Sequence, residues 1–158
     1  MKKIRNPFTV IPDYKCFGCA PHNELGMQME FYVDGDDVVS FWNPPAHLQG
    51  WINVLHGGIQ AALMDEVAYW VVYAQLKTSG VTSRIEAKLS KPVFTNKGAL
   101  KIVGRLIEMK RNIAVIDTAI FDHEGKKCVS GTVHYFTYPK DIAKEKLWYP
   151  SDPVFEEE

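Results

Sequence analysis

The sequence predicts an α+β domain in which an antiparallel sheet of about six strands wraps round one long central helix. Residues 58–77 form an apolar segment of helical length that ends at the turn-like letters "KTSG". Apolar side chains of this segment point in almost every direction round a helix, so the helix must be covered on nearly all sides. Strand-like segments before and after it provide the cover, and a curved sheet is the simplest arrangement.

Two strand-like segments precede the helix and four follow it. The first two, "GMQMEFYV" and "DDVVSFW", flank the turn "DGDD", which is typical of a hairpin. The other four are rich in β-branched and aromatic residues, and the turn signals "TNKG", "KRN" and "DHEGK" separate them. They read "TSRIEAKLSKPVF", "ALKIVGRLIEMKR", "NIAVIDTAIFDHEG" and "KKCVSGTVHYFTYP". Because the links are short, we expect the strands to be antiparallel.

We expect three regions along the chain. Residues 1–25 are interpreted as an irregular N-terminal cap, residues 26–139 as the helix-and-sheet domain, and residues 140–158 as a polar, partly disordered C-terminal tail. The start of the chain is a poor signal peptide, and no apolar run is both long enough and free enough of charge to span a bilayer. The sequence therefore predicts a cytoplasmic protein that does not bind a membrane.

Charge and cysteine content exclude several classes of function. The formal net charge is -1, so no overall field attracts nucleic acid or an anionic membrane. The chain has 3 cysteines, and an odd number argues against a disulfide framework. It contains neither a G-x-S-x-G serine-hydrolase motif nor a phosphate-binding glycine fingerprint. We therefore expect no nucleic-acid partner and no cofactor.

Two adjacent carboxylates, Asp65 and Glu66, lie in the middle of the apolar helix. Neither has a lysine or arginine within one helical turn, and burying an unpaired carboxylate is costly. One of them could pair with a strand residue such as Arg84 or Lys88, or point into solvent, which is the commoner fate of a helical acid. The alternative is a chemical role for the carboxylate.

The triplet His56-Gly57-Gly58 at the helix start favours the chemical role. Glycines there leave backbone N–H groups approachable, and these donors can hold an oxyanion with the help of the helix dipole. Asp65 lies roughly 10 to 12 Å along the helix from them, too far for one substrate carbonyl to reach both. We therefore expect two chains to pair, so that Gly57 of one chain faces Asp65 of the other.

The segment "HGGIQAALMDE", which stands between the hairpin and "TSRIEAKLSKPVF", resembles the hotdog-fold acyl-CoA thioesterases. The phenylacetyl-CoA and 4-hydroxybenzoyl-CoA thioesterase type is the most similar. The resemblance covers about residues 13–138, and the spacing from His56 to Asp65 is its most specific element. The letters "CFGCAPHNELGMQMEF" are similar to the segment CFxCGxxNPxGLxLxF of this subgroup, from which Ala20 and Glu24 depart. The resemblance implies a hotdog fold, in which a sheet wraps a central helix.

The resemblance also implies three catalytic roles. Asp65 corresponds to the catalytic carboxylate, which acts as a base for water or as a nucleophile toward the thioester carbonyl. Gly57 corresponds to the residue whose backbone N–H polarises that carbonyl. His56 corresponds to the residue that supports the turn beside it.

Five further residues are expected to bind or position the substrate. Gly58 belongs to the glycine pair at the carbonyl oxygen, and Thr82 matches a hydroxyl that places the attacking water in some relatives. Gln49 and Asn53 are two candidates for the amide that relatives carry shortly before the histidine, and the choice between them stays open. Tyr69 shares a helix face with Asp65 and is expected to shape the acyl tunnel.

The letters "CFGCAPH" place Cys16, Cys19 and His22 at a spacing typical of metal ligands. A structural zinc site needs four ligands, no second pair of ligands follows, and Cys128 lies in a distant strand segment. We therefore predict no metal site. The two N-terminal cysteines are interpreted as packing residues of the cap.

The predicted function is that of an acyl-CoA thioesterase, which converts an acyl- or aryl-CoA and water into a carboxylic acid and CoA. The resemblance implies a homodimer or a homotetramer built of two dimers. A non-catalytic acyl-CoA-binding hotdog module is the main alternative, although the intact carboxylate favours catalysis. A hotdog dehydratase acting on hydroxyacyl thioesters ranks lower, because those enzymes pair a histidine with an acid in other motifs.

Overall fold

A computed structural model describes residues 1–157 of the chain. Its main elements, in chain order, are β1 (Lys2–Ile4), β2 (Tyr32–Asp34), β3 (Asp37–Trp42), α1 (Gly57–Val71), β4 (Gly80–Leu89), β5 (Leu100–Lys110), β6 (Ile113–Phe121), β7 (Lys127–Thr137), α2 (Lys140–Lys146) and β8 (Phe155–Glu157). The strands form one antiparallel sheet in the order β4-β7-β6-β5-β3-β2-β1-β8. Strands β3 to β7 all contact α1, which confirms the predicted sheet round a central helix.

The sheet has eight strands where we predicted about six. The predicted hairpin corresponds to β2 and β3, and the predicted meander to β4 through β7. The two additional strands, β1 and β8, are 3 residues long each and pair with one another near the two ends of the chain.

Helix α1 continues into a π-helical turn, Val72–Leu76, so the two together match the predicted central helix. The helix ends where Lys77 adopts a left-handed backbone with φ of 52°. Its side chains are enclosed on several faces, as the continuous apolar pattern requires, and Leu63, Val67 and Val71 are fully buried. Within residues 1–157, no helix is long and apolar enough to cross a membrane.

Strand β2 is shorter than the segment "GMQMEFYV" predicted. Residues 27–31 have no regular secondary structure because part of their backbone pairs with the N-terminal cap. Met27 N–H donates to the carbonyl of Phe17 at 2.7 Å, and Met29 N–H donates to the carbonyl of Gly18 at 2.9 Å. The side chains of Met27 and Met29 are buried, so this stretch still contributes to the core.

The segment after residue 139, which we expected to be partly disordered, contains helix α2 and strand β8. Its attachment comes from apolar contacts that the charged composition concealed. Ala143 and Tyr149 are buried, and the Tyr149 ring packs against Tyr73 with a centroid separation of 5.8 Å. The boundaries of the three predicted regions stay a prediction.

Strand β4 forms one edge of the sheet and has β7 as its only neighbour within the described chain. Ten residues long, it is exposed from Val81 to Leu89. Its apolar side chains are exposed as well: the exposed fraction is 44% for Val81, 41% for Ile85 and 46% for Leu89. A long exposed edge of this kind is a ready partner for another strand.

Candidate active site

The carboxylate of Asp65 is held by two hydroxyl groups from the sheet. Thr82 Oγ1 on β4 donates to Asp65 Oδ1 at 2.6 Å, and the Tyr135 hydroxyl on β7 donates to the same oxygen at 3.0 Å. Thr82 and Tyr135 are direct partners in the β4–β7 ladder, which is why both reach one oxygen. Within residues 1–157 no protein group donates to the other oxygen, Oδ2, so it is available to a water molecule.

Tyr135 is a donor that keeps its proton. Burial raises the pKa of its phenol, and the charge of Asp65 beside it raises that pKa further. Its hydroxyl also donates to the backbone carbonyl of Asp65 at 3.1 Å. The carboxylate is therefore fixed both through its side chain and through its own backbone.

His56 is the N-cap of α1. Its Nδ1 accepts a hydrogen bond of 2.9 Å from the N–H of Gly58, so a neutral His56 ring carries its proton on Nε2. A side chain on Gly58 would crowd the imidazole, since an added Cβ would lie 3.1 Å from Nδ1. The imidazole therefore occupies one of the two glycine N–H groups that we expected to be approachable.

The N–H of Gly57 is the donor that stays free. Gly57 is the first residue of α1, where a backbone N–H has no partner within the helix, and in the described part of the chain it meets no other acceptor. It is exposed and lines a pocket of about 510 Å³ together with His56, Leu89 and Pro92. The free N–H at the positive end of the helix dipole suits a developing oxyanion.

Gln49 and Asn53 form a hydrogen bond with each other, and neither of them lines this pocket. Gln49 Oε1 accepts a hydrogen bond of 2.9 Å from the backbone N–H of Asn53, which adopts a left-handed backbone with φ of 62°. Gln60 lines the pocket instead, and sequence reasoning missed it. It is 3% exposed, its Nε2 donates to the Leu55 carbonyl at 2.8 Å, and its Oε1 has no partner within the described residues.

A larger cavity of about 750 Å³ adjoins the Asp65 site through Tyr135, which lines the cavity and bonds to Asp65. Tyr69 and Tyr135 both line it, with ring centroids 6.1 Å apart, and the Tyr69 hydroxyl lies 3.3 Å from Ser79 Oγ. Phe8 and Trp148 add aromatic surface from the two ends of the chain. The wall is largely apolar, so this cavity suits an apolar or aromatic group.

The two halves of the predicted site do not meet within one chain. His56 and Gly57 lie at the start of α1, whereas Asp65 with its two hydroxyl donors lies eight residues further, about 12 Å along the helix axis. Thr82 does reach Asp65 in the same chain, whereas its expected role in placing a water molecule stays a prediction.

Glu66 points away from this carboxylate and toward the N-terminal cap. Its Oε1 and Oε2 lie 3.6 and 3.8 Å from Cys16 Sγ, and the indole N–H of Trp70 donates to Oε1 at 3.2 Å. Burial raises the pKa of Glu66 to about 8, and the charge of Cys16 acts in the same direction. Cys19 Sγ lies 3.3 Å from Cys16 Sγ and donates toward it, which lowers the pKa of the Cys16 thiol. The two adjacent acids of α1 therefore have separate environments.

Tyr135 is the second residue of the site that sequence reasoning missed. Its signal in the sequence is the alternation of Val129, Gly131, Val133 and Tyr135, which places all four on one face of β7. Three of the four, Val129, Val133 and Tyr135, are buried, which marks this face as the one that covers the helix.

Comparison with known proteins identifies a family over the middle of the chain. The model of the family described as "Thioesterase superfamily" matches residues 52–129, about half of the chain, and this range includes His56, Gly57, Asp65 and Thr82. A comparison with curated proteins found no match.

Solved structures share the fold at low sequence identity. A thioesterase superfamily protein has 23% identity and a TM-score of 0.66 over 73% of this chain, and the aligned part spans 59% of that protein. A thioesterase from Haemophilus influenzae has 22% identity and a TM-score of 0.63 over 71% of this chain and 79% of its own. A hypothetical thioesterase from Streptococcus pneumoniae, solved with coenzyme A, has 23% identity and a TM-score of 0.64 over 71% of this chain and 87% of its own. The family match assigns residues 52–129 to the thioesterase superfamily, and the solved structures show that the chain shares the hotdog fold of those proteins.

Proposed function

We propose that the protein hydrolyses an acyl- or aryl-CoA thioester to a carboxylic acid and CoA. The observation that carries this proposal is the carboxylate of Asp65, which lies on a largely apolar helix and is held through one oxygen by Thr82 and Tyr135. An acid in that position has its second oxygen free for chemistry. The relative from Streptococcus pneumoniae was solved with coenzyme A, which supports a CoA ester as the substrate class.

In the proposed reaction Asp65 acts as a general base. Its free Oδ2 takes a proton from a water molecule, and the resulting hydroxide attacks the thioester carbonyl carbon. The carbonyl oxygen gains negative charge and is stabilised by the N–H of Gly57 at the helix N-terminus. The carbon–sulfur bond then breaks, and the CoA sulfur takes the proton from Asp65. This step releases the carboxylic acid and CoA and restores the Asp65 carboxylate.

The mechanism requires two chains, because Gly57 and Asp65 are too far apart in one. The exposed edge β4 supplies a surface for pairing, since it presents an unpaired strand of 10 residues and three exposed apolar side chains. Continuing the sheet through two β4 strands would satisfy their outer backbone groups and bury those side chains.

The contacts of β4 with its own helix favour an antiparallel pairing that completes the site. Leu89, at one end of β4, lies against Gly57, with its Cδ2 3.4 Å from where a Gly57 Cβ would be. Thr82, near the other end, is bonded to Asp65. An antiparallel pairing that sets Leu89 opposite Thr82 of the partner subunit therefore brings Gly57 toward Asp65 of the partner subunit.

The cavity of about 750 Å³ is proposed to receive the acyl group. It shares Tyr135 with the carboxylate site, and its volume lies within the range of small-molecule sites. Its aromatic lining favours an apolar or aryl acyl group over a charged one.

A panel of acyl- and aryl-CoA esters tests the proposal, with the released thiol detected by a disulfide dye. We expect Asp65→Asn to lower kcat on the best substrate by about 100-fold or more, because it keeps size and hydrogen bonding but removes the base. Asp117→Asn is the matched control, since Asp117 is an exposed aspartate on β6, and it should keep full activity.

Two results would overturn the assignment. Full activity in Asp65→Asn would exclude the proposed mechanism. Saturable binding of CoA esters without turnover by the wild-type protein would favour the acyl-CoA-binding module over the enzyme.

A further inference from the structure

Three potential metal ligands from distant parts of the sequence meet beneath the N-terminal cap. Cys16 and Cys19 come from the cap loop, and Glu66 comes from the middle of α1. We propose that these three side chains form a binding site for a divalent metal ion of the zinc type. The cysteine pair alone did not predict such a site, because the third ligand is far away in the sequence.

The distances between the ligand atoms lie close to those of a tetrahedral zinc site. Zinc–sulfur bonds of about 2.3 Å and zinc–oxygen bonds of about 2.0 to 2.2 Å place two sulfurs roughly 3.8 Å apart and a sulfur and an oxygen roughly 3.5 Å apart. Cys16 Sγ lies 3.3 Å from Cys19 Sγ and 3.6 Å from Glu66 Oε1. The ligand atoms of all three residues lie within 4.8 Å of one another. One ion could therefore contact them with small side-chain adjustments.

Groups around the three ligands orient them. The indole N–H of Trp70 donates to Glu66 Oε1 at 3.2 Å, and the hydroxyl of Tyr14 lies 2.9 Å from Cys19 Sγ. An added Cβ on Gly18 would overlap the carboxyl group of Glu66, so a glycine at that position lets the loop close over the acid. Hydrogen bonds and packing contacts to the ligand side chains fix their geometry in metal sites and strengthen metal binding.

A metal ion would also balance the charge of Glu66. Within residues 1–157, no lysine, arginine or histidine forms an ion pair with this carboxylate, although it is partly buried. Burying an uncompensated carboxylate is costly, and coordination to a cation is one of the arrangements that offset the cost. Two thiolates with a carboxylate favour zinc over magnesium or calcium, which prefer sites made of oxygen.

The site has access to a ligand from outside. Cys16, Cys19 and Glu66 all line the cavity of about 750 Å³, and three protein ligands leave one position of a tetrahedron open. A water molecule entering through that cavity would complete the coordination. The ion would tie the cap loop to α1 one residue away from Asp65, which gives it a role in stabilising the cap whatever reaction the protein performs.

Titration of the reduced full-length protein with Co²⁺ tests the proposal, because cobalt bound to thiolates absorbs light strongly. We expect one Co²⁺ per chain with cobalt–thiolate absorption, and displacement by one equivalent of Zn²⁺. The Cys16→Ser and Cys19→Ser variants should lose that absorption. Glu66→Gln should keep it and bind Co²⁺ more weakly by roughly tenfold or more, since it keeps the size of the side chain but lacks the anionic ligand.

Cys128→Ser is the matched control, because Cys128 is also buried and free but lies outside the cluster, and its binding should equal that of the wild type. Far-UV circular dichroism checks that each variant is folded. The proposal fails if the reduced wild type binds neither ion stoichiometrically, or if the Cys16→Ser/Cys19→Ser double variant keeps wild-type cobalt absorption. Thioester hydrolysis is not part of the readout, so this result is independent of the proposed enzymatic activity.

Discussion

Thr82 on the edge strand β4 donates a hydrogen bond of 2.6 Å to the carboxylate of Asp65 in the middle of α1. The strand that holds the proposed base is therefore the same strand that offers an open edge to a second chain. A change in the pairing of β4 would move Thr82 and alter the position of Asp65. This coupling links the proposed dimer to the proposed chemistry.

Removal of either hydroxyl that holds Asp65 should slow the reaction. A hydrogen bond to a charged group contributes about 1.5 to 3 kcal/mol, so Thr82→Val and Tyr135→Phe should each lower kcat by roughly tenfold or more. Both substitutions nearly preserve shape. Steady-state kinetics on the best CoA ester gives the measurement.

Thr82→Ser is the control for the first of these changes, since it keeps the hydroxyl that reaches Asp65 and should keep most of the activity. If Thr82→Val and Tyr135→Phe both matched the wild type, the bonds to Asp65 would have no part in catalysis.

The N–H of Gly57 can be removed without breaking the helix. Proline is well tolerated at the first position of a helix, and His56 before it already has the extended backbone, with ψ of 134°, that a following proline favours. Gly57→Pro should therefore fold and lose activity by about 100-fold, the typical effect of removing one oxyanion donor. Gly57→Ala keeps the N–H, and its added Cβ would meet Leu89 at an ordinary contact distance of 3.4 Å, so it should stay active.

Mixing two inactive variants tests whether the site is shared between chains. In a randomly reassorted equal mixture of Gly57→Pro and Asp65→Asn, half of the dimers are hybrids, and each hybrid has one site with both groups intact. Activity should therefore recover to about a quarter of the wild-type level when two-fold dimers exchange freely. No recovery, with native mass spectrometry showing that hybrid dimers form, would place both groups in the same chain's site.

The sequence patterns were sufficient to predict the helices and strands that form the site, but not all of the contacts between them. Period-two alternation and the continuous apolar segment predicted β3 to β7 and α1, because those patterns follow from which side chains a strand or a helix must bury. The alternation along β7 also carried the signal that Tyr135 covers the helix, although we did not use it. Only the register between β7 and β4 brings Tyr135 to Asp65, and register is a property of the folded sheet.

The cluster of Cys16, Cys19 and Glu66 shows the same limit more strongly. Cys16 and Glu66 are 50 residues apart in sequence, and their meeting depends on how the cap folds over α1. For the C-terminal residues the sequence predicted too little order. Their charged composition indicated partial disorder, whereas the buried ring of Tyr149 anchors the segment. The composition of a segment reflects the average polarity of its residues, so it does not reveal one buried aromatic side chain.

Gly131 is required for the close packing of β7 against β4. An added Cβ there would overlap the backbone carbonyl oxygen of Glu86 and would lie 2.9 Å from Met64 Cε. Because a backbone oxygen cannot move without the strand, Gly131→Ala should cost about 2 kcal/mol and lower Tm by roughly 4 to 8 °C. Thermal unfolding measures the effect, and Ser130→Ala on the same strand should leave Tm nearly unchanged. An unchanged Tm in Gly131→Ala would mean that β4 tolerates a wider separation from β7.

Tyr69 should set how long an acyl group the protein accepts. Its ring lines the cavity of about 750 Å³ beside Tyr135, so replacing it with a smaller side chain enlarges the space available to the acyl group. Each additional buried methylene contributes about 0.8 kcal/mol, close to fourfold in kcat/KM. Tyr69→Leu should therefore raise kcat/KM for a chain two carbons longer than the best wild-type substrate by roughly tenfold relative to that substrate.

Tyr69→Phe separates the volume of the ring from its hydroxyl. It removes only the contact with Ser79 and should leave the order of preferred chain lengths as it is in the wild type. The measurement is kcat/KM across a series of straight-chain acyl-CoA esters. If Tyr69→Leu is folded and shows the wild-type order of preference, the acyl group binds outside this cavity. The pocket of about 510 Å³ beside Gly57 would then be the next place to alter.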